Sequence, residues 1–197
     1  MKDEAYHEVE RNKGAGLPHR DADPIMRLSA HYYEPADFMH EQFRKLDRQA
    51  ATPKGLSRAK VMERRYYLMF WLSGLYVTIE GMEQLPLADE LARRPLDIPE
   101  LSDYVIQILA DVDDYRDSLR LLRNATFHFQ KTAEKHVQFF DDRIRLRWAE
   151  HLHTHIGEIF RGYRVRCAVV CALAGRTDEI HMGRNVPHRS RNVVFLP

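Results

Sequence analysis

Tyr66-Tyr67-Leu68-Met69-Phe70-Trp71-Leu72-Ser73-Gly74-Leu75-Tyr76-Val77-Thr78-Ile79 is a run of 14 residues without a charge. A bilayer-spanning helix needs about 20 such residues, so the run suits a buried helix instead. The pattern extends beyond it on both sides. Val61, Leu68, Leu72, Leu75, Ile79 and Met82 recur at three, four or seven residues, one persistent seam of an α-helix. Phe70, Trp71 and Tyr76 widen that seam. Ser57 is an N-cap residue type, and Pro86 cannot continue a helix, so the spacing predicts a helix over 57–85. Gly74 costs helix propensity in the middle of it, and the close approach of a second helix is one reason for a glycine there.

Outward from this helix the same period recurs. A short helix is predicted over 36–49, with Phe38, Phe43 and Leu46 on its apolar side, broken by Thr52-Pro53-Lys54-Gly55. Residues 86–97 read as a connector with one helical turn near Asp89–Arg93. A further helical region opens at Pro99, a favourable first-turn proline, with Val105, Ile108, Val112, Tyr115, Leu119 and Leu122 at three-four spacing. It reads as one helix to Phe127, or as two separated near Asp111. A last long helix is predicted over 142–174 on Trp148, Leu152, Ile156, Ile159, Phe160, Tyr163, Cys167 and Val170, with Gly175 as its stop. Trp71 and Trp148 read as core anchors.

The expected fold is therefore an all-α, up-down helical bundle over 29–175. Residues 1–28, punctuated by Gly14, Gly16, Pro18 and Pro24, read as a polar flexible leader. Residues 176–197 read as an extended tail, with 192–196 as the one strand-like stretch. Three long helices with wide apolar faces leave surplus surface, and a homodimer is the expected cover for it.

Bulk composition narrows the function. The chain has 197 residues, 44% of them hydrophobic and 30% charged, an ordinary globular balance. Thirty basic residues oppose 29 acidic ones for a net charge of +1, so any nucleic-acid contact must come from a local patch and not from a global field. Cys167 and Cys171 share one helix face and read as small core hydrophobes; without a second pair they are no zinc site. Met1–Glu10 is polar and charged, unlike a signal peptide. A cytoplasmic location without membrane contact is the resulting expectation.

Leu121-Leu122-Arg123-Asn124-Ala125-Thr126-Phe127-His128-Phe129 is the segment that carries chemistry. A guanidinium offers a rigid fork of donors to a phosphate. An imidazole titrates near neutrality and moves protons to or from a ribose hydroxyl or a leaving oxygen. Together they suit phosphodiester cleavage without a metal. In an unbroken helix, however, five residues turn the chain by about 500°, leaving Arg123 and His128 roughly 140° apart. Convergence requires the helix to end near Thr126, or a second subunit to supply the partner. Bare spacing is weak: Arg176 and His181 repeat it. Arg123/His128 stands apart because Asn124 follows the arginine and the pair closes an amphipathic helix.

Arg123-Asn124-Ala125-Thr126-Phe127-His128, at the end of a helix in a small all-α chain, resembles the defining motif of the HEPN superfamily, an arginine, four to six residues, then a histidine. Leu75-Tyr76-Val77-Thr78-Ile79-Glu80-Gly81-Met82 also resembles uncharacterised bacterial proteins of this type, and the supporting pattern covers roughly 57–174. The resemblance implies a dimerising helical bundle in which two motifs line one cleft. It implies a metal-independent endoribonuclease, often a toxin or phage-defence effector, with no cofactor and sometimes an antitoxin or other protein partner. Arg123 and His128 carry over as the catalytic pair, and Asn124 as a substrate-orienting neighbour. A toxin subgroup has tyrosine two residues after the histidine, where this chain has Gln130.

Each site residue also has a plainer reading. Arg123 and His128 can cap helix carbonyls or pair with Asp113, Asp114 or other acids. Arg116, Arg120 and Arg123 share a helix face and would make a phosphate track, but Asp113 and Asp117 are spaced to pair with the first two. Glu80 ends the charge-free run without a basic residue three or four positions away. It can orient Arg123 or His128, or lie at the surface. His151 and His155 share a helix face while His153 points elsewhere, a metal pair without an assured third ligand. No metal is assigned. The remaining alternative is a non-catalytic helical module that binds a nucleotide, RNA or a protein.

Overall fold

The structure, a computed structural model, describes residues 16–94, 96, 99–112, 115–128 and 142–180. All regular structure among them is helical. The elements are α1 (Pro24–Leu28), a π-helical turn (Ser29–Tyr33), α2 (Glu34–Ala50), α3 (Arg58–Gln84), α4 (Leu87–Ala92), α5 (Pro99–Asp111), α6 (Arg116–Phe127) and α7 (Arg143–Leu173). Single 3-10 turns lie at Arg20–Ala22 and Thr177–Glu179. No helix among the described residues is long and apolar enough to cross a membrane.

Local chemistry sets the helix ends. Ser57 caps α3 by accepting from the Lys60 N–H at 3.4 Å. Asp142 caps α7, accepting from Ile144 and Arg145 at 2.9 and 3.3 Å. At the other end Gly175 takes φ +73°, and the Arg176 N–H returns to the Cys171 carbonyl at 2.8 Å, closing a left-handed stop. The long stretch from Pro99 to Phe127 is two helices, parted around Val112. The strand-like 192–196, together with Asp113, Asp114 and His181, lies outside the described residues.

Helix α3 is the hub. It packs antiparallel on α2, with Asp47 paired to Arg64, Lys60 to Gln49 at 2.9 Å, and Gly74 facing Ala36. On another side it packs antiparallel on α6. Helix α7 closes the core against α2 and α5: Arg164 meets Glu34 at 2.7 Å, and Arg44 meets Glu150 at 2.9 Å. Trp71, Leu72, Leu75, Ile79 and Met82 of α3 are wholly buried, as are Ile156 and Ile159 of α7. Both cysteines are free and buried, and burial pushes the Cys167 thiol up to about 12, so it packs as a hydrophobe.

A β-carbon on Gly74 would sit 2.9 Å from the Ala36 Cβ and 3.4 Å from its Cα. The contact is with atoms fixed to the α2 backbone, so the helices themselves must part. Alanine gains about 1 kcal/mol of helix propensity, but overpacking costs about 1–3 kcal/mol. Gly74→Ala is therefore expected to lower stability by up to about 2 kcal/mol in urea titration; a more stable variant would contradict the close approach.

Several expectations need correction. Residues 16–28 are not a free leader. Leu17 is buried, and so are Ile25, Met26 and Leu28. Asp23 caps α1 by accepting from the Ile25 N–H, with Pro24 in the first helical turn. Its other carboxylate oxygen accepts from the buried Tyr163 hydroxyl at 2.6 Å, and Arg94 lies 3.5 Å away. The start of the tail packs as well: Arg176 donates to the Leu17 and Pro18 carbonyls at 3.1 Å each. Phe38 is exposed on α2, where Ala36 and Phe43 face the core. Val61 and Phe70 of the supposed buried seam are also exposed. Trp148 is only partly buried, its indole reaching the Asp111 carbonyl at 3.4 Å.

Candidate functional site

Arg116, Arg120, Arg123 and Phe127 form one stripe of α6, spaced by three or four residues. The stripe lies against α3. The Arg116 guanidinium pairs with Glu83, and Arg123 Nη2 donates to Glu80 at 2.9 Å. Phe127 packs its ring on Phe70 at a centroid distance of 6.0 Å. Arg120 turns outward and pairs with Asp117 at 3.1 Å, one of the two local pairs its spacing suggested. Among the described residues Arg116 has a partner 33 residues away, which local spacing could not reveal.

Arg123 is held by three neighbours. Besides Glu80, its Nη1 donates to Asn124 Oδ1 at 2.9 Å, and its guanidinium carbon lies 5.3 Å from the Tyr76 ring centroid. Its Nε is buried and has no hydrogen-bond partner among the described residues. The Arg123 and Glu80 side chains are each 28% exposed, so the pair sits at the rim of the core and not in open water. Burial pushes the Tyr76 phenol above its ordinary range, and a hydrogen bond to the Glu80 carboxylate adds to that. Tyr76 and Glu83 were not foreseen. The signal was available: Tyr76, Glu80 and Glu83 recur at four and three residues on α3, one polar strip beside an apolar one.

The helix ends near Thr126, the first of the two routes left open by the spacing. Helix α6 stops at Phe127, and His128 takes φ −120° and ψ 141°, an extended conformation. Its N–H still closes on the Asn124 carbonyl at 2.9 Å, so the main chain leaves the helical path at His128, whose side chain is exposed. Arg123, Asn124 and Glu80 are thus brought together, Arg116 stands two turns along the same stripe, and Arg120 points to solvent. The imidazole of His128 lies at the exposed end of the seam.

The three clustered histidines divide as their spacing predicts. His151 and His155 lie together on the outside of α7, ring centroids 5.9 Å apart. His155 bonds the Tyr104 hydroxyl and approaches Glu158 at 3.6 Å. His153 is 3% exposed and points into the core. There Asp37, His40 and His153 place one potential ligand atom each within 4.8 Å of one another. The proton arrangement opposes a cation. The buried Trp71 Nε1–H donates to His153 Nδ1 at 3.2 Å, so that nitrogen carries no proton. A neutral His153 must then bear its proton on Nε2, directed at Asp37 Oδ1 at 3.0 Å. Ligation through Nε2 would force an imidazolate, or set two N–H groups against each other. The cluster reads as a hydrogen-bonded core, with Tyr33 donating to the His153 carbonyl at 3.2 Å.

Two grooves open along the α5–α7 seam. One of about 620 Å³ surrounds Trp148, His151 and His155, and one of about 570 Å³ surrounds Leu101, Tyr104 and Arg166. They give a small ligand room and carry charged groups of their own, Asp111 and Arg147 beside the histidines in the first and Glu158 beside Arg166 in the second. No family model matches the chain, and neither a curated protein nor a solved structure matches it.

Proposed function

We propose that the chain is a metal-independent endoribonuclease of HEPN type, with Arg123 and His128 as its reacting pair. The observation that carries the reading is the end of α6 at Phe127. The chain leaves the helical path at His128, the exposed capping residue, while Arg123, five residues back, stays fixed by Glu80 and Asn124. A fixed guanidinium lets two further N–H groups meet a phosphate without first losing side-chain entropy. In this reading Arg123 binds the scissile phosphate and offsets charge on its oxygens. His128 takes the proton of the adjacent ribose 2′-hydroxyl or gives one to the leaving 5′-oxygen. The attacking 2′-oxygen forms its bond to phosphorus as the bond to the 5′-oxygen breaks, leaving a 2′,3′-cyclic phosphate and a 5′-hydroxyl. One histidine cannot hold both proton roles at once, so the proposal includes a homodimer in which a second copy completes the site. The test is RNA cleavage in EDTA by the wild type and by His128→Ala.

The Arg123–Glu80 pair itself favours a second reading, a structural clamp between α6 and α3. Removing either partner leaves a half-buried charge alone. A double-mutant cycle on Arg123→Ala and Glu80→Ala separates the two. A clamp predicts a coupling of about 1 kcal/mol or more in unfolding free energy and no activity to lose. A coupling near zero, with cleavage abolished by Arg123→Ala, removes the clamp as the reason for the arginine.

A further inference from the structure

Three exposed aromatic rings continue the seam beyond Arg123. Phe70 is 43% exposed, Tyr66 50% and Phe127 57%. Singly exposed apolar side chains need no explanation, but these are contiguous. Tyr66 and Phe70 lie one turn apart on one face of α3, and Phe127 reaches across from α6 to the Phe70 ring at an interplanar angle of 58°. Phe127 is also one turn beyond Arg123 on the arginine stripe and directly precedes His128.

We propose that Tyr66, Phe70 and Phe127 form a stacking platform for unpaired bases of single-stranded RNA, flanking a phosphate held at Arg123; this rests on the ribonuclease reading of Arg123 and His128. Three features favour nucleobases as the occupant. The rings offer flat π-faces at the rim of a site whose other members are a phosphate donor and a proton carrier. Arg116, Arg120 and Arg123 lie along the same stripe, each paired with one carboxylate but with further N–H donors that a phosphate can meet while the bases turn to the rings. Bases inside a duplex are already stacked and paired, and cannot reach such a platform without unstacking. The platform therefore selects single strands and does so without reading sequence.

The test uses the full chain carrying His128→Ala, so that RNA stays intact. Binding of a fluorescein-labelled single-stranded oligonucleotide and of a duplex of matched length is followed by anisotropy, with oligomeric state checked by light scattering. Phe70→Leu keeps the apolar bulk and removes the π-face; Phe70→Tyr keeps both. The expected result is tighter binding of the single strand, a loss of roughly 5- to 100-fold in Phe70→Leu for that strand alone, and recovery in Phe70→Tyr. Unchanged single-strand binding by Phe70→Leu overturns the platform, even if the wild type cleaves RNA. Ring-dependent binding to single strands without cleavage by the wild type supports the platform and overturns the catalytic reading. Loss of a dimer in Phe70→Leu with RNA affinity intact would overturn the platform and assign the face to a second copy of the chain.

Discussion

RNA incubated in EDTA is expected to be cut by the wild type and left intact by His128→Ala, with a rate loss of roughly 10²- to 10⁴-fold. The substitution isolates chemistry from folding. His128 is exposed and its side chain leaves the end of α6, so its removal should move stability by no more than about 0.5 kcal/mol. Arg123→Ala should abolish cleavage too, but it also strips Glu80 of its partner and unseats the Tyr76 contact. Arg123→Lys is more diagnostic. It preserves the charge beside Glu80 while losing the fork that spans Glu80, Asn124 and a phosphate together. Folding near the wild-type level with severely reduced turnover is the expected outcome. If His128→Ala cleaves as fast as the wild type, the catalytic assignment fails outright.

Acid is expected to weaken the protein through its interior, at His40. His40 packs its ring 4.2 Å from Trp71 and 4.4 Å from His153, and its Nε2 is buried without a partner. Burial, then the neighbouring His153 and Arg44, hold it down to about 4 from an ordinary 6.5, against a smaller upward pull from Asp37. The folded pKa lies below the unfolded one, so between the two the unfolded chain binds more protons. The contribution is complete above pH 6.5 and is lost as pH falls from there toward 4. A depression of about two and a half units corresponds to at most about 3 kcal/mol. Urea midpoints at pH 7 and pH 4.5 read the difference. His40→Phe should flatten the dependence, because it removes the titration and the orphaned nitrogen together. An equally steep profile in His40→Phe would place the acid sensitivity elsewhere.

Periodicity located the helices because burial is periodic. The ends of α3 and α7 fall within a residue of the bounds that Ser57, Pro86, Asp142 and Gly175 suggested. Periodicity did not give the width of each buried face. Val61 and Phe70 match the apolar seam of α3 but stay exposed, Phe70 at the edge of the α6 contact where it meets the Phe127 ring. Helix α1 was missed because Pro24 was weighed as punctuation, although after Asp23 it occupies a first-turn position that favours a helix. Glu80 drew notice because it lacked a local partner, and its partner is Arg123, 43 residues away. His153 was unreadable for the opposite reason. Its partners Tyr33, Asp37 and Trp71 come from two other helices and the π turn, and nothing in the local pattern of α7 announces them.

The π turn at Ser29–Tyr33 sets the phase of everything that follows it. Glu34 N–H reaches back five residues to the Ser29 carbonyl, so the turn holds more chain than an α-helical turn would. Each residue of helix advances the azimuth by about 100°. Ile25 and Leu28 before the turn and Ala36 and Phe43 after it all face the core. With one residue fewer, the two sets could not face inward together, and Asp37 and His40 would swing off His153. The short loop at 51–57 can change length and only move a connection. A change of length at 29–33 would instead rotate a helix, so the residue count there is a determinant of which side chains meet in the interior.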